Sequence, residues 1–327
     1  MSNVERLPDV VACATDAMPA APELLRPRTV PLGGPRAMTV RRTLPQRSRT
    51  LIGAWCFVDH YGPDEVARTG GMGVAGHPHT GLQTVTWLFA GEVEHRDTIG
   101  TASLIRPGEV NLMTAGRGIA HSEYSTPGTT VLHGAQLWVA LPERDRRTEP
   151  AFEHFAPEPK HVDGARLSVF IGSLTGTSSP VRTRTPLLGA ELRLSARAPF
   201  TLDLDPTFEH GFLVDTGQIQ LAGTTTAAGE LCYLPTGTAT VTVDPGEQPA
   251  RLLLLGGAPL NEHFVMWWNF IGGSHEDIVA FRGDWQDQLA RHENGETGGE
   301  PFGAFPAEWG PVLPAPTLPN ARLKIRP

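Results

Sequence analysis

The sequence predicts an all-β protein with two domains, because several of its properties agree. The chain has 327 residues, and a domain commonly holds about 100–200 residues. It contains 36 glycines and 30 prolines, together about a fifth of the chain, and both residue types interrupt helices. Its short apolar runs are separated by turn-forming residues, which is typical of a β-sandwich or β-barrel. With 40% hydrophobic and only 19% charged residues, the chain is expected to bury cores rather than remain disordered.

The order of these runs predicts how the chain is divided. Residues 1–27 are rich in alanine and proline and show no periodicity, which predicts a flexible leader. A first β domain is predicted over residues 28–145, and a second over residues 161–292. Residues 146–160 are charged and proline-rich and are predicted to link the two domains. The tail over residues 293–327 is rich in glycine, proline and glutamate and is predicted to be extended.

One short amphipathic helix is predicted near the C-terminal end. Ser274 is suited to cap the start of a helix, and Asp277 follows it at the spacing of a capping box. Apolar side chains then recur at helical spacing at Ile278, Phe281, Trp285 and Leu289. The helix is therefore predicted to cover a sheet with one apolar face.

Charge and cysteine content exclude several classes of protein. The net charge is −8, which disfavours direct binding of nucleic acid. Cys13, Cys56 and Cys232 are far apart and form no CxxC motif, so neither a disulfide framework nor a thiolate zinc site is expected. The first residues lack the apolar run of a signal peptide, and the longest aliphatic run, Leu252–Leu255, is too short to span a bilayer. We therefore expect a cytoplasmic protein that does not contact membranes.

Two pairs of residues in the first domain indicate a metal site. His77 and His79 point to the same side of an extended strand, and Pro78 between them favours that extended conformation. His121 and Glu123 repeat the spacing. On neighbouring strands the two pairs would offer three imidazoles and one carboxylate, a set suited to Fe, Ni, Cu or Zn with coordination positions left open. Either pair alone is more typical of histidines that are exposed or hydrogen-bonded.

Two further histidines and several large side chains lie near these pairs in the sequence. His95 and His133 are interpreted as ordinary histidines that are exposed or hydrogen-bonded, with a second interpretation of His95 as a residue that lines the pocket or supports the metal ligands. Four large apolar side chains are predicted to pack in the core, with a pocket wall as the alternative: Phe57, Trp87, Met113 and Trp138.

Four segments of the first domain resemble the pirin family, a branch of the cupins. They are Val58–Pro63, Gly76–Thr86, Met113–Glu123 and His133–Pro142. The resemblance implies a bicupin, in which two cupin-type β-barrels follow one another and only the first binds a metal. The absence of HxH and HxE motifs from the second half of the sequence agrees with this expectation.

The resemblance also implies ligands, a metal and an activity. The family's metal ligands correspond to His77, His79, His121 and Glu123, the same residues that the spacing selects. One divalent ion is expected, Fe(II) by resemblance, with Mn, Ni, Cu or Zn as alternatives. Some members are quercetin 2,3-dioxygenases, which implies a ring-opening dioxygenase acting on a small aromatic substrate such as a flavonol, with Glu123 as the catalytic base.

Two other interpretations remain open at this point. The chain could be a metal- or redox-dependent regulatory protein that binds a protein partner without catalysis, or the metal could serve only to join two strands. Two positions depart from the patterns of the relatives: Gln83 stands where the general cupin motif has a glutamate ligand, and Thr80 stands where many pirins have arginine.

Overall fold

Short strands make up most of the regular structure. The computed structural model describes residues 3, 5, 7–9, 11–13, 21–32, 38–296 and 298–323. The strands before residue 156 are β1 Val11–Cys13, β2 Glu23–Leu25, β3 Arg28–Leu32, β4 Met38–Leu44, β5 Trp55–Glu65, β6 Gly73–His79, β7 Leu82–Ala90, β8 Val93–Asp97, β9 Ala102–Ile105, β10 Val110–Thr114, β11 Ile119–Ser125, β12 Val131–Ala140 and β13 Ala151–Phe155.

The later strands are β14 Lys160–Val162, β15 Ala165–Ile171, β16 Ser173–Leu174, β17 Thr177–Ser178, β18 Leu187–Leu194, β19 Phe200–Asp203, β20 Glu209–Thr216, β21 Gln218–Leu221, β22 Thr224–Ala227, β23 Leu231–Leu234, β24 Thr240–Asp244, β25 Ala250–Gly257, β26 Phe264–Trp267 and β27 Phe270–Gly272. The α-helices in the described ranges are α1 Val66–Thr69 and α2 His275–Glu293, and short 3₁₀ helices lie at Glu143–Asp145 and Ala307–Trp309. None of these helices has both the length and the apolar character needed to cross a bilayer.

The first β-barrel consists of two sheets packed face to face. The larger sheet has the strand order β13-β10-β7-β12-β5-β4-β3, and the smaller has the order β6-β11-β8-β9. Val40 and Leu88 of the larger sheet lie in one apolar cluster with Val74 and Val93 of the smaller. The barrel interior, where polar side chains accompany this cluster, is where the predicted metal site lies.

The second β-barrel repeats this arrangement around a mainly apolar core. Its sheets have the orders β14-β15-β18-β25-β20-β23-β2 and β19-β24-β21-β22. Leu192, Phe212 and Leu252 of the larger sheet pack with Leu202 and Val243 of the smaller. The prediction of an all-β fold with two β-barrels is therefore confirmed.

The two barrels are joined by an apolar interface between their larger sheets. Leu253 and Leu255 lie in this interface, whereas their neighbours Leu252 and Leu254 face the core of the second barrel. A strand that is buried on both faces needs apolar residues at every position, which explains the uninterrupted leucine run. Trp87 of the first barrel stacks on Phe170 of the second, with ring centroids 4.6 Å apart.

Part of each terminal segment packs on the barrel farther away in sequence. Strand β2, within the predicted leader, pairs with β23 of the second barrel. Strands β26 and β27 form a small sheet with β1, and Phe270 of β27 bridges to Thr80 beside the first barrel. The tail continues over the same barrel, where Val312 pairs with Gly76 of β6.

The predicted leader and tail are only partly covered by the described residues. Residues 1, 2, 4, 6, 10 and 14–20 of the leader, and residues 297 and 324–327 of the tail, lie outside them. The predicted boundaries near residues 28, 145, 160 and 292 stay a prediction.

The predicted C-terminal helix is confirmed and begins as expected. The Ser274 hydroxyl accepts a hydrogen bond from the Asp277 amide, and the Asp277 carboxylate accepts one from the Ser274 amide, each at 3.1 Å. The helix buries Ile278 and Trp285 in an apolar cluster that includes Ala120 of β11. It therefore covers the side of the first barrel that carries the predicted metal site.

Candidate metal centre

The two predicted pairs of residues lie side by side because β6 and β11 are antiparallel neighbours. His121 lies opposite His77, and Ile119 lies opposite His79. One extra residue in β6 shifts the register beyond this point, so that Glu123 lies opposite Val74. The alternation of side chains along both strands then directs all four predicted side chains into the barrel.

The three imidazoles lie close together and are buried. Their ring centroids are 4.4 Å apart for His77 and His121, 5.0 Å for His77 and His79, and 5.0 Å for His79 and His121. The exposed fraction is 0% for each histidine and 1% for Glu123. The three histidines, from two strands, therefore converge on one buried point in the barrel, and the buried Glu123 lies close to His121.

The donor atoms fit a divalent metal ion. His77 Nδ1 lies 2.7 Å from the Ala75 carbonyl and can donate to it, which leaves the Nε2 lone pair directed at the centre. His77 Nε2 and His79 Nε2 are 3.1 Å apart, close to the ~3.0 Å that separates two adjacent ligands with bonds of about 2.1 Å. His121 Nε2 is buried and has no hydrogen-bond partner among the described residues. Such a buried lone pair is costly unless an ion occupies the centre.

Burial keeps these histidines in the form that binds metal. It lowers the pKa of His77 to about 4 and lowers the pKa values of His79 and His121 well below the usual 6.5. At neutral pH all three imidazoles are therefore uncharged, as metal coordination requires.

Glu123 lies in a polar part of the barrel interior. Thr86 Oγ1 is 3.4 Å from Glu123 Oε1 and 2.9 Å from Gln136 Oε1. Burial, and then the charge of Glu123, raise the pKa of Tyr61 well above 10, so the Tyr61 phenol stays protonated near this carboxylate.

His95 contacts the site, which the sequence suggested only as its second interpretation. Its Nδ1 lies 3.3 Å from His121 Nδ1, and its Nε2 lies 3.1 Å from Asp97 Oδ2. Asp97 was not predicted to take part. The available signal was the His-x-Asp spacing on β8, the strand that pairs with β11.

Comparison with known proteins shows the family. The sequence profile of the family named Pirin matches residues 37–139, and that of the Pirin C-terminal cupin domain matches residues 189–290. The chain belongs to the pirin family. A Pseudomonas aeruginosa protein named "putative quercetin 2,3-dioxygenase" is 44% identical over 295 residues, 89% of this chain and 89% of that protein. A Caulobacter vibrioides "pirin-like protein" is 32% identical over 257 residues, 76% of this chain and 88% of that protein.

A solved structure confirms the bicupin architecture. The crystal structure of a quercetin 2,3-dioxygenase from Acinetobacter baumannii superposes with a TM-score of 0.83 at 36% identity, covering 92% of this chain and 97% of that one. The prediction of two cupin-type barrels with a C-terminal helix is therefore confirmed.

The two departures from the cupin and pirin patterns have structural consequences in this pirin. Gln83 Nε2 donates to Thr114 Oγ1 at 2.9 Å on the face of β7 that lies toward the second barrel, so Gln83 is turned away from the centre. Thr80 is 1% exposed and bridges to Phe270, so the C-terminal segment covers the position where many pirins have arginine.

The large apolar side chains divide between core and site. Trp138 meets His79 edge-on at 5.3 Å and stacks on Phe57 at 4.1 Å, so both lie beside the site. Trp87 instead donates to Glu191 Oε2 at 2.7 Å in the interface between the barrels. Met113 packs with Ala115, with Ile119 of β11 and with Phe152, whose ring lies 4.9 Å from that of His95.

A second buried histidine cluster joins the two barrels of this pirin. His60 and His133 of the first barrel place their Nε2 atoms 2.7 and 2.6 Å from Oδ1 of Asp215 in the second. Arg251 pairs with the other oxygen of Asp215, and its Nη2 lies 3.4 Å from His133 Nδ1. Arg41 Nη2 lies 3.2 Å from His60 Nδ1. Two guanidinium groups make this cluster unfavourable for a metal cation, and it serves to connect the barrels.

Proposed function

We propose that this pirin is a metal-dependent dioxygenase that opens a ring of a small aromatic substrate such as a flavonol. The observation that carries the proposal is the buried cluster of neutral His77, His79 and His121, with the Glu123 carboxylate close to His121 and the Trp138 ring beside His79. The names of the Pseudomonas and Acinetobacter relatives support the same reaction class. In such a reaction one O₂ is consumed and one CO is released for each ring opened.

His77, His79, His121 and Glu123 would hold one divalent ion, which we propose to be Fe(II), with Mn, Ni, Cu or Zn as alternatives. When bound, the ion supplies Lewis acidity that lowers the pKa of a phenolic hydroxyl and brings substrate and dioxygen together. Three neutral ligands and one carboxylate leave positions open on a five- or six-coordinate ion.

Glu123 is proposed to accept the proton of the substrate hydroxyl. Its carboxylate is buried, and Thr86 Oγ1 lies 3.4 Å from one of its oxygens. The protonated Tyr61 cannot compete for that proton, because burial and Glu123 hold its pKa well above neutral. The acceptor for the hydroxyl proton is therefore Glu123.

A small cleft with an aromatic wall lies beside the site. It is lined in part by Phe57, Trp138, Met266 and Trp268, and by Arg42. The Arg42 guanidinium lies 4.3 Å from the Phe57 ring centroid and is fixed by Asp59 with contacts of 2.7 and 2.8 Å. Trp138 borders both the cleft and His79, so it connects the cleft to the metal position.

The test is oxygen uptake and CO release by the Fe(II)-loaded protein with quercetin. We expect equal amounts of O₂ consumed and CO released, and a loss of about 100-fold or more in Glu123→Gln. His161→Gln, at an exposed position of the second barrel, is the matched control and should retain full turnover.

Absence of both O₂ uptake and CO release with a fully iron-loaded protein, across quercetin and other enolisable phenols, would refute the proposal. If Glu123→Gln then abolished only the capture of a protein partner, the regulatory interpretation would replace it.

A further inference from the structure

A chain of hydrogen bonds leads from the surface turn after β8 to Nδ1 of His121, the ring nitrogen opposite the one proposed to bind the metal. Strand β8 pairs with β11 so that Asp97 lies opposite His121 and His95 lies opposite Glu123. His95 and Asp97 are 2% and 0% exposed. The bonds between them are therefore formed without competition from water.

The backbone amides of the turn after β8 occupy one oxygen of Asp97 and leave the other for His95. Asp97 Oδ1 accepts from the backbone amides of Ile99 and Thr101 at 3.1 and 3.0 Å. The other oxygen, Oδ2, is left to accept from His95 Nε2 at 3.1 Å. A neutral His95 that carries its proton on Nε2 has a lone pair on Nδ1.

That lone pair determines where His121 carries its proton. His95 Nδ1 lies 3.3 Å from His121 Nδ1, so His121 must donate there, and its Nε2 is left with a free lone pair. His121 Nε2 is the buried atom that has no partner in the described part of the chain.

We propose that Asp97 and His95 are positioning residues that hold His121 in the tautomer able to bind the metal. The inference rests on the metal site of the proposed function. His95, His121 and Glu123 also lie close enough together to share an ion. However, both nitrogens of His95 are engaged, one by His121 and one by Asp97, so His95 has no lone pair left for coordination.

The substitution Asp97→Asn should reverse the chain of bonds. The asparagine Oδ1 can still accept from the turn amides, and its Nδ2 then donates to His95 Nε2. His95 must carry its proton on Nδ1 and donate to His121, which is left with a proton on Nε2. An imidazole protonated on that atom cannot coordinate an ion.

The test uses the full chain, freed of metal, and Co(II) alone as the probe. Side-chain ¹⁵N NMR of the metal-free chain should show His121 protonated on Nδ1 in the wild type and on Nε2 in Asp97→Asn. Competition with a chelator should show Co(II) binding weakened about 10–100-fold in Asp97→Asn and in His95→Leu. His95→Gln, which can accept from His121 and donate to Asp97, should restore wild-type affinity and the wild-type Co(II) absorption spectrum.

Glu94→Gln is the matched control, because Glu94 lies on β8 but faces outward and pairs with Arg96. It should leave the His121 tautomer and the Co(II) affinity unchanged. The inference is overturned if His121 carries its proton on Nε2 in the wild type, or if Asp97→Asn binds Co(II) like the wild type. It is also overturned if His95→Gln binds as weakly as His95→Leu, which would indicate a direct ligand.

These outcomes are separable from the proposed dioxygenase activity. A wild type that binds Co(II) with the expected tautomer but does not turn over quercetin refutes the activity and leaves the positioning role intact. A wild type that turns over quercetin while Asp97→Asn binds Co(II) normally refutes the positioning role alone. A wild type that binds no divalent metal refutes both.

Discussion

Replacing Asp215 with alanine should weaken the connection between the two barrels more than any exposed substitution. The Asp215 carboxylate is hydrogen-bonded to His60 of the first barrel, lies 2.6 Å from Nε2 of His133 of the same barrel, and pairs with Arg251 of its own. Asp215 and both histidines are buried, and the Arg251 side chain is only 19% exposed. Alanine leaves these partners without an acceptor in a place that water reaches poorly.

The expected magnitude follows from these contacts. A hydrogen bond to a charged group contributes about 1.5–3 kcal/mol, and both the His60 hydrogen bond and the His133 contact cross the interface. Removing one member of a buried ion pair costs about 3–5 kcal/mol in total, which agrees with that sum. For domains of this size, 1 kcal/mol corresponds to about 2–4 °C, so the melting temperature should fall by about 10 °C.

Differential scanning calorimetry at neutral pH measures this change. Asp205→Ala is the matched control, because the Asp205 carboxylate lies in an exposed loop of the same barrel and accepts from Thr207. The control should stay within about 0.5 kcal/mol of the wild type. A fall of less than about 2 °C in Asp215→Ala would refute the view that this cluster joins the barrels.

Three further outcomes are expected. Burial lowers the pKa of His210 to about 4, so between pH 6.5 and 4 the unfolded chain binds a proton at His210 that the folded chain excludes. The contribution of His210 to stability should fall by about 1.4 kcal/mol per pH unit as the pH drops through this window, and urea titrations of His210→Leu should show a pH slope smaller than that of the wild type by this amount. A Cβ at Gly76 would lie 2.7 Å from side-chain atoms of Phe305 and Val312 in the tail. Gly76→Ala should therefore lower the free energy of unfolding by about 1–3 kcal/mol and speed proteolysis of the tail. Gly128→Ala, whose added Cβ would have no atom within 4 Å, should do neither. A divalent metal at about 100 times its Kd for the wild type should stabilise the wild type by about 2.7 kcal/mol in thermal melts. If Glu123→Gln gained as much stability at the same metal concentration, the proposed ligand set would be contradicted.

Much of the candidate site was predictable because residues only two positions apart in the sequence specify it. The spacing of His77 and His79, and of His121 and Glu123, directs each pair to one side of a strand wherever that strand is placed. The capping residues Ser274 and Asp277 act within a few positions of each other, so the start of the helix was equally readable. Such patterns need no knowledge of which strands are neighbours.

The remaining contacts depend on strand pairing. His95 and Asp97 contact the site only because β8 pairs with β11 in one register, and a shift by one residue would turn both side chains outward. The alternation of side chains along β7 does not show whether the side that carries Trp87 lines a pocket or an interface. It is an interface because the second barrel packs against that side of the strand.

Local patterns in the sequence determined the all-β character, the helix and the four residues proposed to hold the metal, because backbone preference and side-chain periodicity act over a few residues. The two cupin-type barrels were implied by the resemblance to the pirin family. The tertiary structure decided that strand β2 of the leader joins the second barrel and that the tail covers the first. It also decided that His60 and His133 meet Asp215 across the interface, more than 80 residues away in the chain. These contacts depend on which buried faces meet when the whole chain folds, and no local pattern encodes that choice.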